Sequence, residues 1–169
     1  YKGYDFTNKY PVDTKDYKPN STSGSCGKNL TWKLSENHVL TISGTGYMYT
    51  YSESVPAPWD YVKEDIQKIV FESSVQFIGE YAFANCTEVK EVTLGSSLFK
   101  IGEAAFKNCS KLEKVDFPKR LAVIQSKAFY GCKQLKRFTF SGEYPTIESY
   151  AFNKVSATAY YPYSDSTWS

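Results

Sequence analysis

A phrase of eight residues, stated four times at a fixed interval, restricts this chain more than any other feature. Gly79-Glu80-Tyr81-Ala82-Phe83-Ala84-Asn85-Cys86 returns as Gly102 to Cys109, as Gln125 to Cys132 and, worn down, as Glu148 to Val155. The Ala-Phe pair stands at 82/83, 105/106, 128/129 and 151/152, so the spacing is 23 residues each time with no insertion or deletion. A unit this short cannot bury its own apolar face, and units must stack on one another to form a core. The chain is therefore expected to coil into a solenoid.

With the period set, the other apolar positions fall into register. Ile66, Val89, Leu112 and Leu135 share one position; Ile69, Val92, Val115 and Phe138 a second; Phe71, Leu94, Phe117 and Phe140 a third; Ile78, Ile101, Ile124 and Ile147 a fourth. The first three open each unit as an (L/V/I)-x-x-(V/I/F)-x-(F/L) segment of β-branched and aromatic residues, which predicts a strand with these three positions turned inward, and strands stacked at one period become parallel neighbours. The Ala-Phe stretch is too short for a free-standing helix and reads as a one-turn helical segment, its four Phe rings packing as a column between coils.

Ahead of the repeats, Leu30 to Leu34 and Val39 to Ser43 alternate around a Ser35-Glu36-Asn37-His38 turn, which predicts a β-hairpin. Its physical task is to cover the apolar end of the first coil. Pro56-Ala57-Pro58-Trp59 breaks the extended pattern, and Trp59 to Glu64 reads as a single helical turn leading into the first repeat. The division expected is 1–24 a flexible linker, 25–64 a hairpin cap, 65–156 four repeats, and 157–169 a closing strand and tail.

The unit Ile-Gly-x-x-Ala-Phe-x-x-Cys, following a Leu-x-x-Val-x-Leu strand, resembles the BspA-like leucine-rich repeats of bacterial surface proteins. The lead-in Ser23 to Trp32, with Leu40 to Gly46 and Ala57-Pro58-Trp59, is similar to the segment that precedes such repeats in surface proteins of gut Firmicutes. The resemblance covers residues 23 to about 163 and weakens in the fourth unit, where Val155 stands for Cys and Glu148 for Gly. It implies an α/β solenoid, a short right-handed leucine-rich-repeat array with a parallel sheet of four or five strands. It also implies an extracellular or cell-surface location and a role in binding host proteins or other cells, with no family-wide catalytic residue to carry over.

Charge and composition narrow the partners. The chain has 20 basic and 18 acidic residues without a block of like charge, which leaves no electrostatic footprint for nucleic acid or an anionic membrane. No apolar run approaches the roughly 18 residues of a membrane span. Tyr1 is neither an initiator Met nor the start of a basic, then apolar, signal segment, so a trimmed or mature product is expected.

Catalysis finds little support. Cys86, Cys109 and Cys132 fall at one angular position of successive coils, a ladder that does not converge on a metal, and Val155 at the fourth place can substitute for a packed thiol but not for a ligand. The single His, His38, lies in the hairpin turn with no acid or amide placed to orient it toward Cys26. The sequons at Asn85 and Asn108 recur because the repeat recurs. No catalytic residue, metal or cofactor is expected, and the rival reading is a spacer or accessory module of an extracellular enzyme.

Binding is expected on the outward strand face of a monomer. Lys68, Val70, Glu91, Thr93, Lys114, Asp116, Arg137 and Thr139 are the candidate residues, displayed on a rigid backbone without supporting the core. Tyr47, Tyr49 and Tyr51 alternate with Met48 and Thr50 and form a second candidate, an aromatic face, whose simpler role is to cover the hydrophobic edge beneath it. The ligand expected is a protein or a glycan.

Overall fold

The computed structural model describes residues 21–162, 164 and 166–168. Residues 1–20 of the expected linker lie outside the described residues. Strand β1 (Ser23–Gly27) begins two residues inside that linker and pairs antiparallel with β2 (Leu30–Leu34), which pairs antiparallel with β3 (Val39–Gly44). The hairpin is thus present where alternation predicts it, with a third strand laid along its outer edge.

The rest is a parallel β-solenoid. Along one side run β5 (Lys68–Phe71), β7 (Glu91–Thr93), β9 (Lys114–Phe117), β11 (Arg137–Phe140) and β13 (Thr158–Tyr160), which join β1 to β3 in one eight-stranded sheet. A second sheet of five short strands was not foreseen from the sequence. It orders β12 (Thr146–Ile147), β10 (Val123–Ile124), β8 (Lys100–Ile101), β6 (Val75–Ile78) and β4 (Gly46–Tyr47). Pieces of two residues show no alternation, and only the recurrent Ile at 78, 101, 124 and 147 hints at them.

The hairpin is more than a lid. Its second strand β3 pairs parallel with β5, Leu40 opposite Ile69 and Ile42 opposite Phe71, while β4 pairs parallel with β6. Residues 39–59 therefore complete a coil of their own ahead of the first repeat. Trp59 ends that coil, fully buried, and the 3₁₀ turn Asp60–Asp65 delivers the chain into β5 as the sequence predicts.

The third side corrects an expectation. Where one-turn helical segments were predicted, the backbone instead takes positive φ at Tyr81, Asn85, Ala104, Asn108, Lys127, Tyr150 and Lys154, a left-handed conformation that a right-handed helix excludes. Alternate residues close tight turns, as where Ala84 N–H donates to the Tyr81 carbonyl at 3.2 Å. The residues between them donate across to the next coil: Tyr81, Phe83 and Asn85 N–H to the carbonyls of Glu103, Ala105 and Lys107 at 2.7–2.8 Å. The same forward ladder joins 104, 106 and 108 to 126, 128 and 130, and 127, 129 and 131 to 149, 151 and 153. Hydrogen bonds between coils won over local helix because a five-residue segment satisfies more backbone groups across the stack than within itself.

Inside, the predicted column of rings is present and longer than expected. Trp59, Phe83, Phe106, Phe129 and Phe152 stack in order with centroids 5.0–5.4 Å apart and planes within 12°. Beside it, Ile66, Ile69, Val89, Leu112, Val115 and Leu135 are buried, as their shared register in the 23-residue unit predicts.

Candidate binding surface

Because alternate strand residues face opposite ways, every Ile, Val or Phe turned into the core sets its neighbours outward. On the eight-stranded sheet this builds two rows across the strands. One runs Val39, Lys68, Glu91, Lys114, Arg137, Thr158. The other places Thr41, Val70 and Thr93 in register at one end and Asp116, Thr139 and Tyr160 at the other. All eight strand-face candidates lie in these rows.

The two ends of the first row differ electrostatically. Lys68 Nζ lies 2.9 Å from Glu91 Oε1, an ion pair with both side chains more than a third exposed, worth at most about 1 kcal/mol. Lys114 and Arg137 stand directly opposite each other, both exposed, and neither has an ion-pair partner among the described residues. The Arg137 guanidinium lies over the ring of Tyr160 at 5.9 Å. Tyr160 was missed as a surface residue; the alternation of Thr158-Ala159-Tyr160, which puts it in register with Thr139, was the signal for it.

The three tyrosines do not make one open face. Tyr47 packs against Phe77 and Phe99 at centroid distances of 6.5 and 5.8 Å, Tyr49 packs against the core, and Tyr51 is buried edge-on against Trp59 at 5.9 Å. The extended run on which a shared face depends stops at Tyr47, because β4 is only two residues long and its register slips there.

The thiols are packing groups in geometry. Cys86, Cys109 and Cys132 are buried, and the thiols of Cys109 and Cys132 donate to the carbonyls of Phe83 and Phe106, one coil back, at 3.3 and 3.1 Å. Burial pushes Cys26, Cys86 and Cys132 up to about 12 and Cys109 well above its ordinary range, which suppresses the nucleophilic thiolate. His38 is exposed, with Nδ1 2.9 Å from the Asp65 carbonyl oxygen, so that ring ties the hairpin turn to the end of the 3₁₀ turn. Asn108 Nδ2 donates to Asn85 Oδ1 at 3.0 Å, tying the two sequon amides to each other. Among the described residues no group of three or more His, Cys, Asp or Glu could hold a metal ion, and no helix is long and apolar enough to cross a membrane.

Comparison with known proteins agrees with this geometry. The BspA-type leucine-rich repeat region matches residues 60–166 in six copies, some of them necessarily partial at this period. Three solved structures share the fold. A leucine-rich repeat protein from Eubacterium ventriosum is 21% identical, with a TM-score of 0.52 over 70% of this chain and 44% of its own. The leucine-rich repeat protein of T. pallidum is 24% identical, with a TM-score of 0.52 over 76% of this chain and 66% of its own. One from Bacteroides ovatus is 21% identical, with a TM-score of 0.50 over 83% of this chain and 38% of its own. The chain thus spans between 38% and 66% of the length of these structures. No curated protein matches it in sequence.

Proposed function

This chain belongs to the BspA-type leucine-rich repeat family, and from that premise we propose that it is a non-catalytic binding module of a secreted or cell-surface bacterial protein. It engages a protein or glycan through the outward face of the eight-stranded sheet and acts as a monomer. Members of the family are repeat proteins suited to protein interaction, and the particular surface is the part that the geometry supports. The observation that carries it is the division of labour across the sheet. On β9 the inner residues Val115 and Phe117 are fully buried, whereas Lys114 and Asp116 project into solvent from the same strand, as Arg137 does from β11. The outer residues are held rigidly and contribute little to the core, so their identity is free to serve recognition.

The test replaces Lys114, Asp116, Arg137 and Thr139 together by Ala. Unfolding free energy should stay within about 1 kcal/mol of the parent, since exposed substitutions are individually small. The variant should lose a partner that the parent captures from host matrix or mucosal extract, while Tyr47→Ala should keep it. Capture undiminished in the quadruple variant but lost in a folded Tyr47→Ala protein would move the site to the second sheet.

A further inference from the structure

Charge along the solenoid is unevenly distributed, and the strand face shows where this matters. Residues 21–99 hold 5 basic and 9 acidic side chains, and residues 100–169 hold 11 basic and 6 acidic. In the first half of the face the lateral neighbours Lys68 and Glu91 neutralise each other at 2.9 Å. In the second half the equivalent neighbours are Lys114 and Arg137, like charges directly opposite on adjacent parallel strands, an arrangement that costs stability. The same ladder shows with Glu91 how an acid at this position removes that cost. Two cations on adjacent strands whose backbones run about 4.8 Å apart, neither with an ion-pair partner among the described residues, suit a single anionic group held between them.

Around this pair the chemistry is that of a sugar site. Tyr160, 52% exposed, lies on the same face beside Arg137 and opposite Thr139, and offers a flat ring to the apolar side of a pyranose. Asp116 and Thr139 sit opposite each other in the neighbouring row and supply acceptors and a donor for hydroxyl groups. Asp116 also decides between ligands, because its exposed carboxylate accepts hydrogen bonds from sugar hydroxyls, whereas the ionised side chains of an acidic polypeptide offer it no donor.

Resting on the strand-face reading above, we propose that Lys114, Arg137, Asp116, Thr139 and Tyr160 form a subsite for an acidic polysaccharide. A carboxylate or sulfate lies between Lys114 and Arg137, and an adjoining sugar ring lies on Tyr160.

Affinity electrophoresis of the whole chain through native gels tests it, with polygalacturonate, dextran sulfate, neutral dextran or poly-glutamate cast into the gel. The parent should be retarded by one or both acidic polysaccharides and not by dextran or poly-glutamate; which of the two acts identifies the anionic group. Lys114→Gln with Arg137→Gln should weaken that binding about fivefold to tenfold, the scale expected for two exposed ionic contacts. Lys127→Gln with Lys154→Gln removes the same charge from the ladder side and should leave it unchanged. Tyr160→Ala should weaken polysaccharide binding about threefold or more, the loss of one ring contact.

Equal losses in the two Gln pairs would reduce the effect to net charge and overturn the subsite. So would poly-glutamate retardation insensitive to Tyr160→Ala, which would point to an acidic polypeptide. If no acidic polysaccharide retards the parent while the quadruple Ala variant still loses its captured partner, the ligand class falls and the strand-face reading stands. If that variant also keeps its partner, both fall.

Discussion

The two ends of this solenoid face the same problem and solve it unequally. Each coil donates hydrogen bonds forward along the third side, so the first coil presents carbonyls that need donors and the last presents N–H groups that need acceptors. At the front two of the three places are filled among the described residues. Tyr51 N–H donates to the Glu80 carbonyl at 2.9 Å, and the Trp59 indole N–H donates to the Ala82 carbonyl at 2.8 Å, filling the places that Tyr81 and Phe83 fill between the repeats. Trp59 also begins the ring column, stacked on Phe83 at 5.0 Å with Trp32 edge-on behind it at 5.7 Å.

At the back the column ends on half-buried Phe152 and Phe138, stacked at 4.7 Å, and Ala159 occupies the place where the coils before have Val115 and Phe138. The N–H groups of Tyr150, Phe152 and Lys154 donate to no carbonyl among the described residues. Trp168, its indole bonded to the Gly142 carbonyl and its ring among Phe140, Tyr144 and Tyr161, covers only part of that end. The exposed large hydrophobic residues of the described chain, Tyr144, Tyr150, Tyr160 and Tyr161, all lie here. A solenoid thus has a polarity: closing it calls for donors at one end and acceptors at the other, and one cap design cannot serve both.

The sharpest way to break this comparison is to truncate the column at different heights. Trp59→Ala should cost about 5 kcal/mol, because a fully buried ring is lost and the Ala82 carbonyl is left without its donor. Phe106→Ala, between two coils, should cost roughly 3 to 5 kcal/mol. Phe152→Ala, half-buried at the open end, should cost only about 1 to 2 kcal/mol. Equal losses in denaturant titrations at 59 and 152 would mean that the ends are equally sealed.

Trp59→Phe isolates the hydrogen bond. It keeps a stacking ring while removing the N–H, and the expected cost is about 1 to 2 kcal/mol. A cost below about half a kcal/mol would show that the indole donor contributes nothing beyond its ring.

The thiols test the interior that both ends enclose. Below pH 9 they are protonated folded or unfolded, so their contribution does not vary with pH. Between pH 9 and about 12 the unfolded chain releases protons that the buried Cys26, Cys86 and Cys132 retain, and stability should fall as pH rises through that window. Native protein at neutral pH should resist thiol reagents until denatured, whereas a Val155→Cys variant, half-buried at the open end, should label sooner. Rapid native labelling of the parent would contradict inert packing.

Much of the fold was legible because a solenoid writes its contacts into its period: residues 23 apart are neighbours, so Phe83, Phe106 and Phe129 could be placed in one column from sequence spacing alone. The second sheet was not legible, since Lys100–Ile101 and Val123–Ile124 are too short to show periodicity. Nor was the left-handed backbone at Tyr81 or Ala104, where neither residue type signals positive φ and hydrogen bonds to the adjacent coil impose it. On the candidate surface, alternation placed Lys114 and Arg137 outward in neighbouring strands, but the addition of Tyr160 depended on how the closing strand docks.

By itself the sequence determined the repeat, the inward and outward sides of each strand and the column of rings, because these follow from local pattern and a strict period. Only the tertiary structure decided that Trp59 takes the place of a preceding repeat's ring, that Tyr51 is buried instead of displayed, and that the described residues cover the last coil only in part. Those outcomes depend on which backbone donors and acceptors remain unmet once the coils are stacked, a quantity that no single segment contains.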